Sequence, residues 1–178
     1  MINPIPRGER GASLIELMAV ISILAIMAVA SIPSLSQQMA TRELETIARR
    51  FIAHAHFARQ QALVLGEMTR IAPIKANNWD NGWNVQGGNQ YSKIWFAQGS
   101  IYPVYLKDEG KQFIDPHSGQ KGIIFNAAGA AKTGHGGFVA NRLILGHQHM
   151  PQLERQLILG SGGRWRICNP QIDLRRCY

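Results

Sequence analysis

The sequence predicts an α+β protein in which one long N-terminal helix precedes an antiparallel sheet or a pair of antiparallel sheets. Glycine and proline are unevenly distributed: residues 12–72 contain one glycine, Gly66, and one proline, Pro33, whereas residues 81–178 contain 15 of the 18 glycines. Short runs rich in β-branched and aromatic residues, bounded by turn residues, fill this second region. No helical periodicity lies between the runs, which favours antiparallel pairing over parallel pairing.

The helix begins with an apolar stretch at residues 12–32, in which Glu16 is the single charged residue among 21. As a helix this stretch is about 31 Å long, close to the hydrocarbon thickness of a bilayer, so the sequence predicts a transmembrane segment. Arg7 and Arg10 lie just before it. The positive-inside rule therefore places residues 1–11 in the cytoplasm and the rest of the chain across the membrane.

Beyond residue 33 the apolar residues keep a helical spacing, which predicts an amphipathic helix that ends near Gly66. Pro33 lacks a backbone donor and its ring clashes with the preceding turn, so we expect a kink there rather than an end. We expect the apolar face to pack against the sheet. Its positions are Leu35, Met39, Leu44, Ile47, Phe51, Ala55, Ala58, Ala62 and Leu65.

Eight short strands are expected after the helix, and without a repeat or a flexible linker the helix and strands are expected to form one body. The strand candidates lie around Ile71 and Val85 and at residues 91–96, 101–106, 122–126, 138–145, 157–159 and 163–168. For Tyr91, Trp95 and Tyr105 in this region the default expectation is core packing, and an exposed aromatic strip is the alternative.

Lysine and arginine outnumber aspartate and glutamate by 19 to 11, and the resulting net charge of +8 favours acidic partners such as nucleic acid or anionic lipid. The sequence contains no nucleophile elbow, phosphate-binding loop or zinc-protease motif, so we expect no enzymatic activity and no cofactor. His147 and His149 have no third ligand at metal spacing, so no metal site is expected and both are assigned to a loop. Asp108, Glu109 and Asp115 are expected to lie in a solvated turn.

The N-terminus has two interpretations. One is a secretory signal peptide with Ala28-Val29-Ala30 as its cleavage site, which would release a soluble protein. Glu16 argues against it, because a carboxylate inside an apolar helix costs about 2.5 to 3.5 kcal/mol on insertion scales and requires a partner.

The second interpretation is a resemblance. The segment Gly11-Ala12-Ser13-Leu14-Ile15-Glu16-Leu17, after a basic leader and before an apolar helix, resembles the type III signal of type IV pilins and pseudopilins, although most members have Phe where this chain has Ala12. The resemblance implies that prepilin peptidase cuts after Gly11, methylates the new amine of Ala12 and leaves residues 12–33 as the assembly helix. It also implies that Glu16 pairs with the N-terminal amine of a neighbouring subunit, and that Pro33 is the helix-kinking proline of the family.

The rest of the chain resembles the FimT/GspH group of minor pilins and pseudopilins. The matching stretches are residues 56–62 (HFARQQA), 78–83 (NWDNGW), 122–126 (GIIFN) and 163–166 (GRWR). The last stretch is similar to the GRxR motif of FimT-type minor pilins, which implies DNA capture during natural transformation. The alternative within the group is a GspH-like pseudopilin at the tip of a type II secretion endopilus.

The arginines of the C-terminal region are the candidate DNA-binding residues. In an extended segment Arg164 and Arg166 point to one face while Trp165 and Ile167 point to the other, so we expect Trp165 to be part of the core. Arg175 and Arg176 add two cations, and residues 160–178 contain one acid, Asp173. Guanidinium groups suit phosphate oxygens and need no base sequence. A solvated charge run is the alternative.

Cys168 and Cys177 are expected to form a disulfide in an oxidising compartment, closing a loop that keeps Arg175 and Arg176 near residues 163–166. The predicted organisation is a leader at residues 1–11, a transmembrane and assembly helix at residues 12–33 and a periplasmic globular domain at residues 34–178. The resemblance implies a single-pass protein of the bacterial inner membrane that enters a type IV pilus. Its implied partners are other pilins, prepilin peptidase, DNA and the inner membrane.

Overall fold

The computed structural model describes residues 13–75, 77–88, 91–109, 114–115, 119–132, 137, 141–160, 162–172 and 174–177. Helix α1 spans Leu14–Leu65. The chain divides into two compact units, Met1–Gln38 and Met39–Tyr178, so α1 contributes to both.

In the first unit, the described side chains of α1 are exposed, and the apolar residues from Leu14 to Val29 have between 51% and 77% of their surface accessible. By length and composition, α1 contains a segment able to cross a membrane. An apolar helix without a core of its own requires lipid or another apolar helix to cover it.

The second unit combines the rest of α1 with two antiparallel sheets. The strands are β1 (Thr69–Lys75), β2 (Asn78–Gly87), β3 (Lys93–Gln98), β4 (Val104–Glu109), β5 (Ile123–Phe125), β6 (Ala131–Lys132), β7 (Asn141–His147), β8 (Met150–Leu159) and β9 (Trp165–Cys168). One sheet has the order β3-β2-β1-β5-β6 and the other has the order β4-β7-β8-β9. A short 3-10 helix, Leu174–Cys177, follows β9.

Phe51 on α1 is at the centre of the core. Its side chain is fully buried, and its ring meets the rings of Trp79, Trp83 and Trp165 edge-on with centroids 5.9, 5.0 and 5.4 Å away. Edge-to-face pairs of this kind are favourable because the positive edge of one ring meets the negative face of the other. Phe51 therefore joins the helix to β2 and to β9.

The buried face of α1 is shorter than the sequence predicts. Leu44, Phe51 and the alanines from 55 to 62 are buried as expected, whereas Leu35, Met39 and Leu65 are 58%, 56% and 47% exposed. The described core side chains of α1 run from Ala40 to Ala62, and Leu35, Met39 and Leu65 lie outside that stretch.

Two strand predictions were wrong in extent. β8 is ten residues long, whereas the sequence predicts a strand only at residues 157–159. The part that was missed includes two polar residues, Arg155 and Gln156, which are buried. β4 begins at Val104, three residues later than predicted, after the cis peptide bond between Tyr102 and Pro103. Of the strand predicted at residues 138–145, the first three residues lie outside the described residues.

Of the three aromatic residues expected in the core, Trp95 is half-buried and packs against the core, whereas Tyr91 and Tyr105 are half-buried and are not among the core residues. Tyr91 lies in a turn under the guanidinium of Arg70, 4.8 Å from ring centroid to Cζ. Trp95 is on the terminal strand β3, and Tyr105 is on the outer face of β4. They occupy separate places and do not form a strip.

Candidate functional site

The β8–β9 hairpin carries the first candidate arginines, and a tight turn fixes its shape. The amide of Gly160 donates to the carbonyl of Arg164 at 2.8 Å, and the amide of Gly163 donates to the carbonyl of Gly160 at 3.0 Å. Gly163 is buried and has φ +73°, a left-handed conformation that side chains other than glycine rarely adopt. The hairpin therefore presents Arg164 directly after a position that requires glycine.

Gly163 is also required by its surroundings. A Cβ added there would lie 2.6 Å from the carbonyl oxygen of Gly129 and 3.0 Å from Nε of Arg59. Arg59 Nε donates to that same Gly129 oxygen at 2.8 Å, so α1, the β5–β6 turn and the hairpin meet at one point. Sequence analysis assigned no positioning role to Arg59. Its partners are distant in sequence, and nothing local signals them.

The register fits the alternation predicted for this segment. Trp165 is buried at 8% exposure, which confirms the core expectation, and Arg164 and Arg166 are exposed. Ile167 pairs with the buried Leu157 and Trp165 pairs with the buried Leu159, two residues on one face of β8. Ile167 is 39% exposed because β9 is the terminal strand of its sheet, where the inner face is less covered.

Arg166 lies on the outer face of the four-stranded sheet, in line with Arg142. The register places Arg142, Ile158 and Arg166 side by side on β7, β8 and β9. Adjacent strands are about 4.8 Å apart, so the two arginine backbones lie about 10 Å from each other. Nε of Arg142 also lies 2.5 Å from Oε2 of Glu109 on β4. The carboxylate weakens the attraction between Arg142 and an added anion.

The C-terminal segment folds back on β9. Cys168 and Cys177 are bonded with their Cα atoms 5.5 Å apart, which confirms the expected disulfide. Arg175 is exposed on the 3-10 helix between them. Arg176 is in the same helix, but its side chain lies outside the described residues, as does Asp173. The disulfide therefore brings the segment that carries Arg175 beside the strand that carries Arg166.

The processing residues are described in part. Gly11 and Ala12 lie outside the described residues. Glu16 is exposed in the first turn of α1, where it has no core to bury it. Pro33 is inside α1, and its side chain is not among those described, so the kink stays a prediction.

Two residues expected in solvated loops are buried. His147 ends β7 at 4% exposure, and its Nε2 lies 3.0 Å from Oε2 of Glu43 on α1. Asp115 has no exposed surface, and its Oδ2 accepts from Nη1 of Arg70 at 2.5 Å. In both cases a hydrogen-bonding partner from another part of the fold offsets the free-energy cost of burying the polar group. The sequence shows neither pairing, because the partners are 104 and 45 residues apart.

Two titrating groups have shifted pKa values. Burial, with the charge of Arg50, lowers the pKa of His54, whose Nδ1 accepts the indole N–H of Trp83 at 3.0 Å. Burial, together with Asp115, raises the pKa of Tyr91 to about 12, against the opposing effect of Arg70. Both rings remain uncharged near neutral pH. In the part of the chain that the structure describes, no three His, Cys, Asp or Glu side chains are placed to share a metal ion.

Two sequence families match this chain. Residues 48–174 match the family described as Type II transport protein GspH, and residues 6–32 match the prokaryotic N-terminal methylation motif. No curated protein sequence is similar enough to count as a relative.

Two solved structures have a similar fold. The type IV minor pilin FimU of Pseudomonas aeruginosa is 14% identical, with a TM-score of 0.56 over 73% of this chain and 91% of that chain. The minor pseudopilin EpsH from the Type 2 Secretion System of Vibrio cholerae is 10% identical, with a TM-score of 0.51 over 72% of this chain and 98% of that chain. At these identities the similarity concerns the fold alone.

Proposed function

The chain belongs to the GspH family of type IV minor pilins and pseudopilins, and from that premise we propose that it is a FimT-like minor pilin that binds DNA without sequence preference during natural transformation. Prepilin peptidase cuts after Gly11 and methylates Ala12. The apolar part of α1 then anchors the protein in the inner membrane, with the globular unit in the periplasm, until it enters a pilus. The family consists of structural subunits, and we infer no catalytic activity.

The observation that carries the DNA proposal is the presentation of arginines around β9. Arg164 and Arg166 are exposed on either side of the buried Trp165, and the disulfide keeps exposed Arg175 on the adjoining segment. The core and the Gly163 turn hold the backbone that carries Arg164 and Arg166, so their side chains start from a defined surface. Guanidinium groups suit the phosphate backbone, which is the same for every sequence.

A soluble chain that begins at Ser34 is suitable for testing this. Among the described residues, every core side chain lies at or after Ala40, so the apolar part of α1 contributes nothing to the interior. We expect this chain to bind a 30-base-pair duplex, measured by fluorescence anisotropy at several salt concentrations. Log affinity should fall with log salt by about 0.9 for each phosphate contacted.

The decisive variant replaces Arg164 and Arg166 by Gln. It should reduce affinity at least tenfold at low salt and reduce the salt slope by about 2, because two phosphate contacts disappear. The matched control replaces exposed Arg49 and Lys75 by Gln, which removes the same charge elsewhere. Equal losses in the two variants would show that the net charge of +8, and not this site, attracts DNA.

The second candidate is a GspH-like pseudopilin that assists protein secretion at an endopilus tip. The family description and the fold shared with EpsH favour it. Deleting the gene distinguishes the two: loss of transformation supports the DNA-binding pilin, whereas loss of secreted enzymes with normal transformation supports the pseudopilin.

A released periplasmic protein is the third candidate, and the mature N-terminus distinguishes it. Mass spectrometry should find methylated Ala12 as the first residue if prepilin peptidase processes the chain. A mature chain that begins at Ser31 would show signal-peptide cleavage after Ala30 and overturn the pilin proposal.

A further inference from the structure

The terminal strand β3 is exposed and unusually apolar for a sheet edge. Its neighbour on one side is β2, and no described strand pairs with its other side. Ile94 and Phe96 are 57% and 42% exposed, and Ala97 is exposed beside them. Soluble proteins usually protect an edge with proline, several charges or a covering segment, because its free amides and carbonyls attract another strand. β3 has one charge, Lys93, and no proline.

Aromatic contacts attach the edge strand to α1. The ring of Phe96 stacks on His54 at 5.1 Å with 6° between the planes, and it meets Phe57 edge-on at 4.8 Å. Trp95 also meets Phe57, at 5.8 Å. α1 therefore contacts β3 on one side, and among the residues that the structure describes no strand pairs with its outer edge.

A cationic groove lies where β3 ends. It has a volume of about 340 Å³, lies between residues 42–50 of α1 and residues 98–104, and is lined by Arg42, Arg50 and Gln98. Arg50 Nη1 donates to Oε1 of Gln98 at 3.0 Å, which connects the groove to the strand. Two arginines and one acid, Glu43, line the groove, so its positive charges outnumber its negative charge. Oε2 of Glu43 lies 3.0 Å from Nε2 of His147.

We propose that this edge and its groove dock an extended, acidic segment of a neighbouring pilin-type subunit, which adds a strand along β3 and places a carboxylate against Arg50. Strand addition uses backbone pairing for affinity and side-chain pockets for selection. Here β3 provides the backbone edge and the groove provides the pocket. The charge argues for a different, acidic subunit, because a second copy would bring another +8. The inference rests on the proposed assembly with other pilins and assigns a surface to it.

The test uses the full chain in its host membrane, with the photocrosslinker p-benzoylphenylalanine in place of Ala97. The expected product is a crosslink to an acidic, extended segment of another pilin subunit, mapped by mass spectrometry. Ile94→Glu and Arg50→Glu should each reduce its yield at least tenfold by placing a carboxylate where an acidic partner docks. Ile74→Glu is the matched control, because Ile74 is 45% exposed on β1 and should leave the yield unchanged.

Two further measurements make the result decisive. Soluble chains from Ser34 with Ile94→Glu or Arg50→Glu should unfold within a few degrees of the unmodified chain, so that lost crosslinking is not lost folding. The same crosslinker in place of Val20 reports assembly through the apolar helix. Crosslinks to pilins from position 20 but not from position 97 overturn the docking inference and leave the pilin assignment intact, whereas crosslinks from neither position overturn both. A product at position 97 that maps to this same chain or to a second copy also overturns the inference.

Discussion

Replacing Phe51 by alanine should destabilise the globular unit by about 4 to 5 kcal/mol, near the top of the range for truncating a buried aromatic residue. The side chain is fully buried and has edge-to-face contacts with three tryptophans. Each such contact contributes about 0.5 to 1.5 kcal/mol beyond the burial itself. The site cannot collapse easily, because the three tryptophans come from strands in two different sheets.

Urea unfolding of the soluble chain from Ser34, followed by far-UV circular dichroism, measures this loss. With a slope near 2 kcal/mol per molar, the midpoint should fall by about 2 M while the slope stays constant. Phe51→Leu is the control, since it keeps an apolar side chain and should lose less than half as much. A loss below about 2 kcal/mol for Phe51→Ala would refute the view that one ring joins the helix to both sheets.

Three further outcomes follow from buried groups. Asp115→Asn should destabilise the protein by about 3 to 5 kcal/mol in urea unfolding, because it leaves buried Arg70 without its anion. Replacing both residues by apolar residues should cost much less. Equal losses in the two variants would contradict the pairing. Replacing Cys168 and Cys177 by serine should lower the free energy of unfolding by about 2 to 3 kcal/mol and weaken duplex binding in the anisotropy assay. Unchanged values would contradict the view that the disulfide holds the segment with Arg175 beside β9. Because the folded state lowers the pKa of His54 below 6.5, the unfolded state binds the proton more readily, so stability should decline as pH falls below 6.5. This decline should be smaller in His54→Gln, as measured by urea midpoints from about pH 7.5 to about pH 5.5.

Regular local patterns made much of the fold predictable. The apolar stretch, the helical spacing through Phe51 and the division between helix and strands all follow from periodicity and composition. The antiparallel sheets were predicted in kind, but the strand predicted at residues 157–159 omitted most of β8, including the buried Arg155. In the structure its Nη2 lies 3.5 Å from Glu45 on α1, a contact that only the folded chain creates.

The candidate site also has features that the sequence predicts and features that it does not. Burial of Trp165 between two exposed arginines follows from the two-residue period of a strand, and the sequence alone predicts it. The roles of Arg59 and Asp115 depend on partners 70 and 45 residues away, which no local pattern contains. The partial exposure of Ile167 could not be predicted, because a sequence does not reveal which strand ends a sheet.

The meeting of Arg59, Gly129 and Gly163 has an evolutionary consequence. Each of the three positions restricts the other two, since a Cβ at Gly163 would collide with the guanidinium and with the Gly129 carbonyl that it binds. A lineage that loses the arginine still has a left-handed backbone at position 163 and the Gly129 carbonyl 2.6 Å from any Cβ placed there. The glycine is therefore expected to persist whether or not the arginine is kept. Across many descendants, position 163 should vary less than position 59.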